Sequence, residues 1–371
     1  MEPTTLVREY QPGDSLELDI IEAHDDTLSS FETVTAQVTQ VMTVTMAPVM
    51  LVTLKTSNNH PGAPITAILK LYDRRFGSSL RKSKKGKHLP CRAEDEAAFR
   101  SFVERGDMGP FIDVIQEDQR TELVPNTAAD WKQKPNAQAK FEAALWYEVR
   151  SHFETEVKAY KRLKDLQGVF IPRMYASVRF WPTSTNTSTD TDTSSTPADS
   201  PTRDDDYRSV SGILLQFIPG CSLWDLPESP SAPTSQEEWT SIVQRVVNGA
   251  NEINKRDIRL LDSCPRNVVV DTASYQPFII DLAQCDFKDK FFKDYENFCF
   301  GDGQEDWNPE VDWCENMRLS ENPASIGLVI QSKLGKTQGI LIEIEYPDCT
   351  KILDHDDDDA KVLNAGRGLE D

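Results

Sequence analysis

Basic charge is what this sequence has least of: 40 lysines and arginines face 61 aspartates and glutamates, for a formal net charge of −21. That balance argues against a general role on the phosphate backbone of nucleic acids. One local exception, Arg81-Lys-Ser-Lys-Lys-Gly-Lys87, reads as a solvated loop. Paired cysteines are missing too. The seven cysteines, at 91, 221, 264, 285, 299, 314 and 349, make no Cys-x-x-Cys pair and no zinc-finger spacing, so reduced thiols are the expectation. No apolar run approaches a membrane span, and Met1-Glu-Pro-Thr-Thr5 has neither the basic nor the apolar region of a signal peptide. The expectation is a cytoplasmic or nuclear protein with no membrane and no nucleic-acid partner.

What is present suits a sizeable core. At 371 residues, 38% apolar and 27% charged, the chain has room for two domains or one two-lobed domain with insertions. Residues 1–30 are acidic and poorly patterned, as in a flexible arm. Val49-Met-Leu-Val-Thr-Leu54 and Ile65-Thr-Ala-Ile-Leu-Lys-Leu71 suit antiparallel strands. From about Phe141 to Gln167 the spacing predicts a helix with Leu145, Val149, Phe153, Tyr160 and Leu163 on one stripe, and Glu156 falls in the middle of it. A carboxylate there requires a cation or strong donors; Lys70 is the candidate. Glu154 projects away from the stripe. Residues 182–207 are Thr, Ser, Asp and Pro with almost nothing to bury, which predicts disorder. Gly212-Ile-Leu-Leu-Gln-Phe-Ile-Pro-Gly220 is a strand ending at a sharp change of direction. Glu237 to Asn254 patterns as a buried helix, Ile326 to Leu334 as a short one, and residues 351–371 as an acidic disordered tail.

The most informative stretch runs from Arg259 to Gln284. Two apolar runs, Val268 to Val270 and Phe278 to Ile280, flank a polar turn and predict a hairpin. Centred near Ser274, it pairs Val268 with Ile280 and Val269 with Ile279, and sets Asn267 opposite Asp281. Asp262 lies one short loop upstream. An amide and a carboxylate side by side are suitable oxygen ligands for a hard cation whose other ligands come from substrate phosphates.

Asp262-Ser-Cys-Pro-Arg-Asn267, followed by the hairpin and Asp281, resembles the protein-kinase-like superfamily in order and spacing. Lys70-Leu-Tyr-Asp-Arg-Arg-Phe76 and the long insertion after it resemble an atypical kinase-like branch found among fungal proteins (protein kinase / aminoglycoside phosphotransferase-like). The resemblance implies an α+β, two-lobed fold, with an antiparallel-sheet N-lobe carrying one main helix and a short, mainly helical C-lobe. The N-lobe would span 31–218, with an insertion at 73–140 and the low-complexity loop at 182–207. The C-lobe would span 219–350, with a catalytic loop at 259–267 and a metal-binding hairpin at 267–281.

By the same resemblance the cofactors are ATP and Mg²⁺. Asn267 and Asp281 hold the metal, Lys70 oriented by Glu156 holds the phosphates, Asp262 serves the acceptor hydroxyl, and Leu215, Gln216 and Ile218 line the adenine site. The acceptor, small molecule or protein, is not specified. Several departures accompany the matches. No glycine occurs from Thr35 to Met46, where the family has its phosphate-covering loop. Leu260 and Leu261 replace the usual His and Arg, so switching by a phosphorylated activation segment is not expected. Cys264 stands where Lys or His is usual, and Leu282 and Ala283 follow Asp281. The alternative is a pseudokinase, an interaction or nucleotide-binding module without catalysis; a regulator working through the 73–140 insertion is a third possibility.

Overall fold

The computed structural model describes residues 5–56, 64–132, 136–182, 203–298 and 308–347. The chain divides into two compact units, the first of residues 1–157 and 173–217, the second of 158–172 and 218–371. The architecture is mixed α and β. No described helix is long and apolar enough to cross a membrane. Most of the loop expected at 182–207, and all of the tail at 351–371, lie outside the described residues; 203–208 form a short helix, α5 (Arg203–Arg208).

In the first unit six strands close into an antiparallel barrel: β1 (Ser15–Ala23), β2 (Thr33–Thr43), β3 (Val49–Thr56), β4 (Ile65–Leu71), β5 (Met174–Phe180) and β6 (Val210–Gln216), in the order β1-β2-β3-β4-β6-β5. Period-two alternation fills its interior: Val34, Ala36 and Val38 from β2, Met50, Val52 and Leu54 from β3, Ala67, Leu69 and Leu71 from β4 are all buried in one cluster. Two expectations are corrected here. The arm at 1–30 is not loose throughout, because Leu16 and Leu18 alternate with Ser15, Glu17 and Asp19, and β1 adds those leucines to the core. The sheet is closed, because β1 pairs with β2 on one side and with β5 on the other.

Nor is there one helix alone. The insertion at 73–140 holds α1 (Ala93–Glu104), α2 (Met108–Thr121) and α3 (Ala128–Trp131), which pack on α4 (Ala137–Arg162) through a second core that includes Phe102, Phe111, Trp131 and Phe141. The predicted stripe on α4 is buried throughout, while Glu154 is exposed and pairs with Arg150.

In the second unit, residues 158–172 group with the later part of the chain instead of the expected 31–218 segment. The contacts explain it: the Ile279 amide donates to the Phe170 carbonyl at 2.8 Å, Gln276 Nε2 donates to the Val169 carbonyl at 2.7 Å, and Arg162 and Lys158 both pair with Asp289. Here α6 (Gln236–Asn254), capped by Ser235 and Glu238, packs on α9 (Asn322–Gln338). The short strands are β7 (Gly220–Ser222), β8 (Ile258–Leu260), β9 (Val268–Asp271), β10 (Pro277–Ile279) and β11 (Cys285–Phe287), arranged as β10-β9-β7 and β11-β8. Helices α7 (Lys288–Phe298) and α8 (Pro309–Ser320) follow. Gly220 sits where a Cβ would come within 1.8 Å of the Val270 carbonyl oxygen, so only glycine lets β7 approach β9.

The hairpin register differs from expectation by one residue. Val268 pairs with Ile279 and Val269 with Phe278. The turn sets this: the Asp271 carboxylate accepts from the Ala273 and Ser274 amides, Tyr275 takes a left-handed backbone (φ 55°), and the Asp271 amide donates to the Gln276 carbonyl. Asn267 therefore lies across from Ile280, whose amide donates to its carbonyl at 2.8 Å. Asp281 comes one residue later, where φ of 63° turns the chain. A one-residue slip moves every side chain to the other face of a strand, but Asp281 lies beyond the end of β10 and lines the same cavity as Asn267.

Candidate functional site

In the first unit, alternation on β4 directs Ala67, Leu69 and Leu71 into the barrel, leaving Lys70 on the other face under α4. Lys70 Nζ lies 2.8 Å from Glu156 Oε2, with the lysine 6% and the glutamate 0% exposed. The Tyr72 hydroxyl, two residues along the chain, donates to the same Oε2. Sequence reasoning anticipated the ion pair but not Tyr72, although its period-two spacing from Lys70 is the signal that places both on one face.

Beside this pair the insertion is fixed by buried charge. Glu142 on α4, fully buried, accepts from Arg74 Nη1 at 2.7 Å, from Arg81 Nη1 at 2.9 Å and from Arg81 Nη2 at 2.7 Å. Arg74 also pairs with Glu96 of α1 at 2.5 Å. Asp73 pairs with Arg75 at 2.6 Å and accepts from the Tyr10 hydroxyl at 2.8 Å. Burial works against the Asp73 carboxylate, but the Arg75 guanidinium outweighs it and holds the carboxyl below its ordinary range. Cys91, Asp95 and Glu142 lie close enough to suggest a metal site. Their chemistry does not fit one, because both Glu142 oxygens are spent on arginines and burial pushes the Cys91 thiol up to about 12.

In the second unit Asp262, Cys264, Asn267 and Asp281 line one small cavity. Asn267 Nδ2 donates to the Asp262 carbonyl at 2.9 Å and to its Oδ2 at 3.0 Å. This bond commits the Asn267 amide nitrogen and leaves Asn267 Oδ1 without a donor among the described residues. Burial, then the Asp262 charge, raises the Cys264 thiol above its ordinary value, which disfavours a thiolate at neutral pH. The loop is held by Asn322 at the start of α9, 1% exposed: its Oδ1 accepts from the Leu260 amide at 3.0 Å, its Nδ2 donates to the Leu260 carbonyl at 2.7 Å, and its carbonyl accepts from Ser263 Oγ at 2.9 Å. Asn322 was not legible from sequence, since Asn before Pro323 reads as an ordinary helix start. Arg266 is exposed and holds its guanidinium 5.0 Å from the Trp224 ring centre.

The three residues expected around adenine are not equally available. Leu215 is buried in β6 opposite Ile68. Gln216 spends its amide on the Arg173 carbonyl (2.8 Å) and its side-chain oxygen on the Arg173 amide (3.2 Å). Ile218, in the second unit, keeps its main-chain N–H unpaired among the described residues.

As a ligand set, two oxygens from Asn267 and Asp281 fit a hard cation such as Mg²⁺, which takes one or two protein ligands and completes its shell with phosphate and water. No family model matches the sequence, and no curated protein matches it. Among solved structures, the chain is similar to the Mycobacterium tuberculosis PknI kinase domain at 15% identity and a TM-score of 0.30, covering 68% of this chain and 60% of that one. A double mutant of the same domain aligns at 13% identity and a TM-score of 0.33, covering 88% of this chain and 96% of that one.

Proposed function

We propose that this chain is a kinase-like phosphotransferase that moves the γ-phosphoryl group of ATP to a hydroxyl acceptor. Asn267 and Asp281 hold Mg²⁺, Lys70 kept in place by Glu156 neutralises phosphate charge, Asp262 positions or deprotonates the acceptor hydroxyl, and Leu215, Gln216 and Ile218 contact adenine. Of the adenine contacts, the Ile218 N–H is the donor still free to meet a ring nitrogen. Bound Mg²⁺ supplies charge neutralisation to the phosphates. The observation that carries the proposal is the second-unit cavity that Asp262, Asn267 and Asp281 line together, with Asn322 bracing the loop that carries Asp262. Transfer of this kind rests on placement and electrostatics more than on covalent chemistry.

One observation favours a second reading, a pseudokinase. The glycine-free turn after β2 is pinned by the insertion: the Ser78 amide donates to the Val44 carbonyl at 2.9 Å, the Ser79 amide to the Thr45 carbonyl at 2.8 Å, and Ser79 Oγ to the same oxygen. Gly77 packs so closely that a Cβ would lie 2.7 Å from the Met46 carbonyl oxygen. A turn held in this way does not fold over phosphates.

Thermal unfolding with and without Mg-ATP, for the natural chain and Asp281→Ala, tests the proposal. A ligand at 100 times its dissociation constant adds about 2.7 kcal/mol of stability. A shift in the natural chain that Asp281→Ala removes, with phosphate release or transfer that Asp262→Asn abolishes, is the expected result. The same shift with no turnover supports the pseudokinase. No shift at millimolar Mg-ATP refutes the phosphotransferase and leaves the pseudokinase only as an interaction module that binds no nucleotide.

A further inference from the structure

The first unit contains a cavity of about 480 Å³ that the proposed phosphotransfer does not use. Its volume falls within the roughly 300–1,000 Å³ of small-molecule sites. One wall is the chain just after Lys70, Tyr72 to Arg75; α1, α4, α5, the end of β5 and the start of β6 supply the rest.

Two features of the lining define what it suits. The first is flat apolar surface: Trp146 and Tyr207 meet edge to face with ring centres 4.9 Å apart, and Phe99 carries the Arg74 guanidinium at 3.7 Å from its ring centre. The second is a set of polar groups that no described residue engages. Arg75 commits Nε and Nη2 to Asp73 and Tyr10 and leaves Nη1 over. The Trp146 indole N–H and the Tyr207 hydroxyl have no hydrogen-bond partner among the described residues, and neither is a buried atom, so both stay open to a ligand on the cavity wall. All three of these groups can donate, and one is cationic. The acidic groups on the wall are engaged: Asp73 by Arg75 and Tyr10, Glu96 by Arg74 and Arg100, Glu104 by Arg208, and Asp205 by a partner of its own.

We propose that this cavity binds a small aromatic carboxylate, its ring between Trp146, Tyr207 and Phe99 and its oxygens accepting from Arg75, Trp146 and Tyr207. The site is independent of the phosphotransfer reading and does not require it.

Calorimetric titration of the full chain with indole-3-acetate, against tryptamine as the cationic control, tests this. The carboxylate is expected to bind saturably and at least about tenfold more tightly than the amine, since a charge-assisted hydrogen bond is worth that much. Tyr207→Phe and Trp146→Phe should each weaken it by about tenfold, with circular dichroism and unfolding midpoint unchanged; Trp146, half-buried, supplies the decisive variant if Tyr207→Phe fails to fold. The proposal is overturned if no saturable binding occurs at millimolar ligand, if tryptamine binds as well, or if folded variants bind like the natural chain. Binding that appears only when residues 183–202 are replaced by a short linker also overturns it, because the chain itself would then fill the cavity.

Discussion

Replacing Glu142 with Gln keeps the shape of a fully buried side chain and removes its charge. Arg81, 1% exposed, would then have as acceptors the Leu89 and Arg74 carbonyls, at 2.8 and 2.9 Å, and the neutral glutamine oxygen, but no carboxylate. Arg74 would still have Glu96. The change therefore strands one buried cation instead of two, and breaking a buried pair from one side costs about 3–5 kcal/mol. Against a typical stability of about 5–15 kcal/mol that is a large fraction. For a unit of about 150–250 residues it should lower the unfolding midpoint by roughly 2–4 °C per kcal/mol. Urea unfolding of the natural chain, Glu142→Gln, Arg81→Met and the double variant gives both the loss and the coupling. Removing both partners should cost less than removing Glu142 alone, because the stranded charge goes with the arginine. A loss below about 1 kcal/mol for Glu142→Gln would be the value of an exposed pair, and would refute the claim that the insertion is anchored on α4 by desolvated charge.

Three further outcomes are expected. Asn322→Ala should leave the Leu260 amide and carbonyl unpaired at about 1–3 kcal/mol for each group, and hydrogen exchange at Leu260 should speed up; an unchanged rate would show that another group braces the loop. Gly220→Ala should cost at least the roughly 1–3 kcal/mol of an overpacked core, since backbone meets backbone at the β7–β9 approach, and a neutral urea midpoint would contradict that. Asp73 and Glu96 have their carboxyls held below their ordinary values of 3.8 and 4.5; burial opposes this, but Arg75 and Arg74 prevail. Folded values below unfolded ones mean that the stabilisation is full above pH 4.5 and is lost as pH falls through the depressed values. Urea midpoints should therefore drop on acidification below pH 4.5, and Glu96→Gln should flatten that drop; a parallel profile would remove Glu96 from the account.

How much of this was legible in the sequence depends on the range of the forces involved. The α4 stripe with Glu156 at its centre, and the strand carrying Lys70, follow from local periodicity, and their ion pair follows from the cost of burying either charge alone. Strand β1 was missed because its outward positions are acidic, so Glu17 and Asp19 gave it the composition of a tail while Leu16 and Leu18 carried the alternation. Barrel closure was invisible because it depends on β1 meeting β5, more than 150 residues apart in sequence. The hairpin was found but misregistered, since the Asp271 carboxylate and a left-handed Tyr275 set the turn, and neither follows from apolar runs. Glu142 and Asn322 depend on tertiary partners with no sequence periodicity to announce them.

The central claim is that Asn267 and Asp281 together hold a divalent ion that carries nucleotide. Electron paramagnetic resonance of Mn²⁺, titrated into the protein with ATP present, measures this directly. The account predicts a protein-bound Mn²⁺ signal in the natural chain that both Asp281→Ala and Asn267→Ala abolish while their folds persist. Equal binding by all three chains would contradict it.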